Sequence, residues 1–336
     1  MSDKTPRVAI VILNWNGWKD TIECLESVFR NNHPNYQVIL CDNNSQDDSL
    51  IQIKAWAGGR MELTVPEDNP LRNLSFPPVS KPLTYKEYNR SQSETGGSNE
   101  DNNVRLILVQ TGANLGFAGG NNVGLRYVMA RDDFDYVWLL NNDTVIKSDA
   151  LTQMIRCIKE RPDVGMCGST IPFYHEPDKL WALGGATYNK FIARTRCIGL
   201  NQPVNQKIDR KKIERRLKYL AGASILVSRS FLRDVGLMSE DYFLYFEELD
   251  WAERAKGRYS MAYAPESIVY HKVSASTGND STNKNNRVSE YFMFKNSLLF
   301  TYQYFPLFIP FVFTRVTAIY VLKRFRASMK RLFFAR

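Results

Sequence analysis

Histidine and cysteine are scarce in this 336-residue chain, and their scatter already narrows its chemistry. The three histidines (His33, His175, His271) and five cysteines (Cys24, Cys41, Cys157, Cys167, Cys197) form no C-x-x-C pair, and the thiol total is odd. This pattern argues against a zinc site or a disulfide framework, so the thiols read as buried or half-buried side chains. The triplet G-K-[ST] is missing, which excludes a P-loop. The first apolar run is followed by Asn14-Trp15-Asn16-Gly17, where a dinucleotide-binding fold needs G-x-G-x-x-G. No leader is expected, because residues 1–7 run straight into the apolar stretch 8–13, which is too short and has no cleavage site; that expectation starts the chain in the cytoplasm. No internal repeat is visible.

Acidic residues are absent from Tyr291 onward, while eight basic ones occur there (Lys295, Arg315, Lys323, Arg324, Arg326, Lys330, Arg331, Arg336). The whole chain carries +9, so nine less eight leaves only +1 on residues 1–290. Positive charge beside the apolar run 297–314 points to an anionic membrane surface rather than to nucleic acid. Pro306, Pro310 and Gln303 favour docking at the interface, although 296–314 is uncharged and long enough to span. A tail helix folded back onto the domain is the third alternative. With 44% hydrophobic residues, the chain is expected to form one α/β domain over 1–290 and a helical, basic, membrane-associating tail over 291–336. The expected location is cytoplasmic, peripheral on the inner face of the cell membrane.

Short β-rich runs alternate with amphipathic stretches through the first half, the signature of βαβ units and a mostly parallel, Rossmann-like sheet flanked by helices. Strands are predicted at 8–13, 36–41, 104–110 and 136–140. Helices are predicted at 18–31, with Ile22, Leu25, Val28 and Phe29 on one face, from Asp47-Asp48 to Trp56, up to Arg131 after a glycine-rich loop, and at 148–161. Residues 59–103 hold five of the 14 prolines and a polar end, and read as a flexible surface insertion. Shorter strands follow at 164–169, 221–228 and 267–270.

In open α/β sheets ligands lie beyond the carboxyl ends of the strands. Four strands end in Asn14-Trp15-Asn16-Gly17, in Asp42-Asn43-Asn44-Ser45, before Asn114-Leu115-Gly116-Phe117-Ala118-Gly119-Gly120-Asn121, and in Asn142-Asp143. Each alone is also ordinary turn chemistry. Asp42 could accept from a ring N–H of a pyrimidine base, or cap a turn. The glycines would let a backbone approach a nucleotide sugar closely. Asp143 could hold a divalent cation beside a diphosphate, or cap the helix near Ser148. Downstream, Asp241-Tyr-Phe-Leu-Tyr-Phe-Glu247-Glu248-Leu-Asp250-Trp251 sets carboxylates among aromatics, where raised pKa values suit a general base. His271, after a strand and before Ser274-Ala275-Ser276-Thr277-Gly278, could ligate the same metal or be structural. Arg194, Arg196 and the basic stretch 207–218 could grip the diphosphate of a polyprenyl-linked acceptor, or form a solvated face.

Taken in order, Val11-Ile12-Leu13-Asn14-Trp15-Asn16, Asp42-Asn43-Asn44-Ser45, the 114–121 segment, Leu139-Leu140-Asn141-Asn142-Asp143, Gly222-Ala223, Tyr245-Phe246-Glu247-Glu248-Leu249-Asp250 and His271 resemble family 2 inverting glycosyltransferases of GT-A fold. The likeness is greatest to the rhamnosyltransferase-like group of bacterial surface polysaccharide (O-antigen or capsule) synthesis. It implies a donor site built from Asn14, Trp15, Asn16, Asp42, Asn44, Asn114, Gly116, Gly119, Asn121, Asn142, Asp143, Trp181 and Gly222, with Asp42 on the base. Asp143 would be the retained acid of a DxD motif that here reads Asn141-Asn142-Asp143, holding Mg²⁺ or Mn²⁺ with His271. The base would be Glu248, where the family usually has Asp; Glu247 and Asp250 complete the catalytic set. The implied donor is dTDP-rhamnose, with UDP-hexoses and UDP-galactofuranose behind it, and the acceptor a glycan or a polyprenyl-diphosphate-linked sugar. A non-catalytic glycan-binding protein is the rival from another class.

Overall fold

The computed structural model describes residues 5–61, 64–159, 161–273 and 285–333, without the side chains of 102, 285, 286, 320 and 323–333. The segment 274–278 singled out after His271 lies outside the described residues. The first half runs β1 (Val8–Asn14), α1 (Trp18–Val28), β2 (Tyr36–Asp42), α2 (Ser49–Ala57), β3 (Tyr85–Asn89), α3 (Arg90–Glu94), β4 (Leu106–Gln110), α4 (Gly116–Arg131) and β5 (Tyr136–Asn141). There follow β6 (Thr144–Ile146), α5 (Ala150–Lys159), β7 (Val164–Pro172), β8 (Leu180–Leu183), β9 (Gly185–Asn189), β10 (Arg194–Cys197), α6 (Arg210–Arg216), β11 (Tyr219–Leu220), β12 (Ser224–Ser228), α7 (Arg229–Val235), α8 (Glu247–Ala255) and β13 (Ser260–His271). The helices α9 (Asn285–Tyr304) and α10 (Ile309–Phe333) close the chain.

The strands join in the order β10-β9-β8-β7-β12-β5-β1-β2-β4-β3, with β13 on the other side of β7. β1 is buried on both faces. Val8, Ile10 and Ile12 point into a core with Leu25, Trp56 and Trp138, while Ala9 and Val11 point into a second with Tyr127, Trp251 and Tyr263. Strands covered on both faces need continuous apolar runs, which is why Val-Ala-Ile-Val-Ile lacks polar alternation. The predicted face of α1 is buried at Ile22, Leu25, Val28 and Phe29. Parallel register sets Asn14 beside Asp42, Leu13 beside Asn141, and Asp42 beside Gln110, so these strand ends share one edge. Beyond β5 the pairing with β12 turns antiparallel.

Three expectations change. The glycine-rich segment is not a loop: α4 begins at Gly116, because its backbone packs so closely that a Cβ at Gly124 would stand 2.6 Å from a Val11 methyl. The insertion does more than cover the surface, since its strand β3 extends the sheet in parallel beside β4. The tail helix starts at Asn285 rather than after 290 and folds back onto the domain, with Asn296, Phe300 and Thr301 fully buried.

The insertion is tied to the core through Glu26, which is fully buried and accepts from Trp56 Nε1 (2.8 Å), Val79 N (2.7 Å) and Lys81 Nζ (2.9 Å). Removing one partner of a buried pair strands the other charge. Glu26→Ala should therefore lower stability by about 3 kcal/mol, read as a fall in the urea midpoint at unchanged slope. An unaltered midpoint would show that Lys81 and Val79 find water instead.

Candidate active site

Asn14 knots the ends of β1 and β2 together. Its Nδ2 donates to Asp42 Oδ1 (2.7 Å) and Ser45 Oγ (3.0 Å), and its Oδ1 accepts from Thr21 Oγ1 (2.7 Å). Asp42 accepts further from Ser45 N (3.0 Å) and Ser45 Oγ (2.6 Å). With both oxygens engaged in this way, the carboxylate organises the turn that follows β2. Asn16 and Asn44 occupy left-handed backbone at φ 51° and 60°, where asparagine is tolerated, and Gln46 N donates to Asn16 Oδ1. Asn142 reaches back to Thr21 Oγ1 (2.9 Å), which brings the third strand end into the same network.

Above this shelf lies a cavity of about 360 Å³, walled by Trp15, Asn43, Asn114, Phe117, Asn142 and Phe243, with Ser289 and Phe292 of α9 on the far side. Trp15 is among the exposed large apolar side chains and offers a flat face for a ring. Gly116 also lines it, at φ 72°; a Cβ there would lie 2.2 Å from Phe243 O, the atom that accepts from Phe117 N. Of the expected donor residues, Trp15, Asn114, Gly116 and Asn142 reach this cavity. Gly119 and Asn121 lie within α4, where Asn121 Nδ2 turns back onto Phe117 O.

Asp143 does not cap a helix. It is buried, and its Oδ1 lies 3.1 Å from His271 Nε2 at the end of β13, which pairs with β6. Burial works against ionisation of Asp143, but the field and hydrogen bond of His271 prevail and hold its pKa below the usual value. Trp181 sets its ring against the imidazole with centroids 4.7 Å apart, a positioning role rather than a place on the cavity wall. The next residue, Lys272, is pinned to α1 by Asp20 (2.5 Å) and Glu23 (2.6 Å), which locks the end of β13 in place. His271 Nδ1 is buried without a hydrogen-bond partner among the described residues.

The acids of α8 separate by direction. Asp250 is buried and bonded to Arg254 Nε (2.7 Å) and the Tyr304 hydroxyl (2.6 Å), so it clamps α8 to α9. Glu247 is buried, and its Oε2 has no hydrogen-bond partner among the described residues. Burial, then the adjacent Glu248, push its pKa well above the usual carboxylate value. Glu248 is only half-buried. Burial raises its pKa to about 7 against the pull of the Glu248 and Gly222 backbone N–H groups. A half-open carboxylate that titrates near neutrality can accept a proton; its sealed neighbour cannot reach one. Gly222 lies in the turn before β12, which starts at Ser224, and a Cβ there would stand 2.1 Å from Glu248 Oε1 and 3.3 Å from the Phe117 ring.

The approach to α8 is unusual, because Tyr245 and Phe246 are both left-handed, at φ 69° and 77°. Asn296 of α9 holds this turn, its Nδ2 donating to Leu244 O (2.8 Å) and Tyr245 O (3.0 Å). Sequence reasoning passed over Asn296, Phe243 and Phe292; a lone amide inside an apolar tail was the available signal for the first. The stretch 207–218 belongs elsewhere. Its Glu214 joins Arg161 and Arg210 and accepts from Tyr263 N, which makes this a structural cluster.

A parallel sheet with a nucleotide-sized cavity at its carboxyl edge, a buried Asp–His pair and a tuned carboxylate defines a sugar-transfer enzyme of GT-A architecture. The chain belongs to glycosyltransferase family 2: residues 93–289 match the family described as "glycosyltransferase like family 2" and residues 9–68 match "glycosyl transferase family 2". It is 28% identical over 200 residues to an N-acetylglucosaminyl-diphospho-decaprenol L-rhamnosyltransferase of Mycobacterium tuberculosis, covering 53% of this chain and 62% of that protein. It is 25% identical over 160 residues to the low-salt glycan biosynthesis hexosyltransferase Agl10 of Haloferax volcanii, covering 45% of this chain and 46% of that protein. The matched region thus spans less than two thirds of either relative. The fold is shared with a mannosyltransferase of Pyrobaculum calidifontis in complex with GDP-Man and Mn²⁺ (12% identity, TM-score 0.51, 98% of this chain and 81% of that one). It is shared also with GalNAc-T7 bound to UDP, GalNAc and Mn²⁺ (11% identity, TM-score 0.51, 80% and 44%).

Gly222→Ala should displace the Glu248 carboxylate and lower the turnover of sugar transfer about 100-fold while the thermal midpoint holds. Wild-type turnover in that variant would remove Gly222 as the group that seats Glu248.

Proposed function

We propose that this glycosyltransferase is an inverting enzyme that moves rhamnose from dTDP-rhamnose to a sugar carried on a polyprenyl diphosphate, in the assembly of a bacterial surface polysaccharide such as O-antigen or capsule. The observation that carries the reading is Glu248, half-open and titrating at about 7 beside the donor cavity. The name of the mycobacterial relative supports the donor and acceptor classes. A hexose donor such as UDP-hexose or UDP-galactofuranose is the second reading, favoured by the name of the archaeal relative.

In this mechanism the nucleotide base lies against Trp15 and Phe117, over the shelf built by Asn14, Asp42 and Asn142. Glu248 takes the proton of the acceptor hydroxyl as that oxygen bonds to the anomeric carbon from the face opposite the leaving diphosphate, and the carbon–diphosphate bond breaks with inversion. The raised pKa of Glu247 disfavours a second negative charge beside the base. Asp143 and His271 would hold a divalent cation, His271 giving up its hydrogen bond to Asp143 to offer a neutral ring nitrogen. Among the described residues no group of three or more His, Cys, Asp or Glu side chains is placed to hold a metal, so diphosphate oxygens and water would complete the shell. When bound, Mg²⁺ or Mn²⁺ supplies charge neutralisation at the leaving diphosphate.

No described helix is long and apolar enough to cross a membrane. Leu307, Phe311, Phe313, Val321 and Leu322 are exposed along the start and middle of the tail, ahead of the basic residues Lys323, Arg324 and Arg326. This supports peripheral docking on an anionic surface at the cytoplasmic face.

Glu248→Gln should reduce transfer about 10²–10⁴-fold with donor affinity retained in a thermal-shift titration; normal turnover would assign the base elsewhere. Because the base acts ionised, wild-type kcat/KM should fall about tenfold per pH unit below about 7. A rate flat from pH 5 to 8 would contradict the tuned carboxylate. Chelation should abolish transfer and added Mn²⁺ or Mg²⁺ should restore it, whereas an unchanged rate after chelation would exclude the cation at Asp143.

A further inference from the structure

A second cavity, of about 430 Å³, opens on the opposite side of α9, between the β9–β10 hairpin and α10. Two guanidinium groups face it, Arg194 at the start of β10 and Arg315 on α10. Arg315 is half-buried and steered by a hydrogen bond from Nη1 to Ile192 O (2.5 Å), on the hairpin that also carries Arg194. Burial, then the charge of Arg194, depress the Arg315 pKa below the usual arginine value, so the two cations repel across the cavity. Neither forms a salt bridge to a carboxylate among the described residues. The acid on the lining, Glu290, is an exposed residue of α9. Two arginines facing one cavity with no ion pair to either among the described residues leave room for an entering anion, and the planar guanidinium fork matches phosphate oxygens.

The surroundings say which anion. The remaining wall is largely apolar, with Phe246, Met293 and Ile319. Phe311, one helical turn before Arg315, is exposed, and so is Phe191, which meets the ring of Phe308 edge-on at 4.7 Å. A hydrocarbon chain leaving the arginines therefore has an apolar path. At the inner end, Tyr245 and Phe246 line the cavity and lead directly into Glu247 and Glu248. Thr195, also on the wall, bonds the Tyr219 side chain, whose pKa is raised by burial and by the charge of Glu248. A sugar held just beyond an anion in this cavity would present its hydroxyls to the base.

We propose that Arg194 and Arg315 clamp the diphosphate of a lipid-linked acceptor in the cavity between the β9–β10 hairpin, α9 and α10. The inference rests on the lipid-diphosphate acceptor read above and adds the site that selects it. It places the acceptor diphosphate across α9 from the donor cavity, with Ser289 lining both cavities, while the acceptor hydroxyl and the anomeric carbon still meet at Glu248.

The test compares two acceptors, farnesyl-diphospho-N-acetylglucosamine and octyl N-acetylglucosaminide, as the ratio of their kcat/KM values with the full-length chain. The wild type should favour the diphosphate acceptor, and Arg194→Ala and Arg315→Ala should each cut that ratio about 10- to 100-fold. Arg315→Lys should fall between, because it keeps the charge but loses the fork. Nucleotide-sugar binding by thermal shift should persist in all three, reporting an intact fold. Affinity for phosphatidylglycerol vesicles should not follow the ratio; loss of vesicle binding with the ratio preserved would assign the arginines to the membrane surface and overturn the site. A wild-type ratio near one would overturn both this site and the lipid-diphosphate reading. A high wild-type ratio that survives in both alanine variants would overturn the site alone.

Discussion

The two left-handed residues before α8 are the constraint on which the rest of the site depends. Tyr245 and Phe246 each cost about 1–3 kcal/mol in that conformation, and such strain persists only where the surroundings over-determine it. The two hydrogen bonds from Asn296 contribute about 1 kcal/mol each, too little to offset both. The balance comes from aromatic packing, with the rings of Phe246 and Tyr188 gathered on the buried Phe300. The amide thus chooses the direction of the turn and the apolar cluster supplies most of the energy. α9 folded back thus aims the first turn of α8 together with Phe117 N, which donates to Phe243 O, and with the Gly222 backbone beside Glu248.

That aim resolves the three acids. Successive residues on a helix turn by about 100°, so Glu248 points away from Glu247 and Asp250, which lie three apart on one side of α8. Glu247 enters the interior with an oxygen that has no partner among the described residues, Glu248 lies against Gly222 at the edge of solvent, and Asp250 meets Arg254 and Tyr304. The electrostatics follow from this geometry. Burial plus a like charge raises the pKa of Glu247, while helix-start and Gly222 N–H groups temper the rise at Glu248.

The donor half was legible in the sequence because parallel strands buried on both faces announce themselves as unbroken apolar runs, and their ends fall where ligands bind. Trp15 and Asn142, read this way, line the cavity at that edge. Less was visible where a side chain's partners lie far along the chain. Neither the bonds of Asp42 to Asn14 and Ser45 nor that of Asp250 to Tyr304, 54 positions on, shows in the sequence. The glycines at 116–120 read as a loop because a helix seldom opens with so many; close packing of Gly116 on Phe243 and of Gly120 on Leu13 supplies the reason. The edge strand β3 was hidden by the proline-rich stretch around it. Asn296 and Arg315 lay in a tail whose apolar character pointed outward, when half of it faces the protein.

Ser289 belongs to the walls of both cavities, so α9 is a partition with a substrate-sized space on each side. A partition that shifts to tighten one compartment necessarily reshapes the other. Thermodynamic linkage makes such an effect reciprocal: whatever factor one occupant applies to its neighbour's affinity is returned in equal measure. The sign of that factor decides whether the enzyme fills in a preferred order or holds one substrate back until the other has left, and α9 is the element on which selection for either behaviour would act.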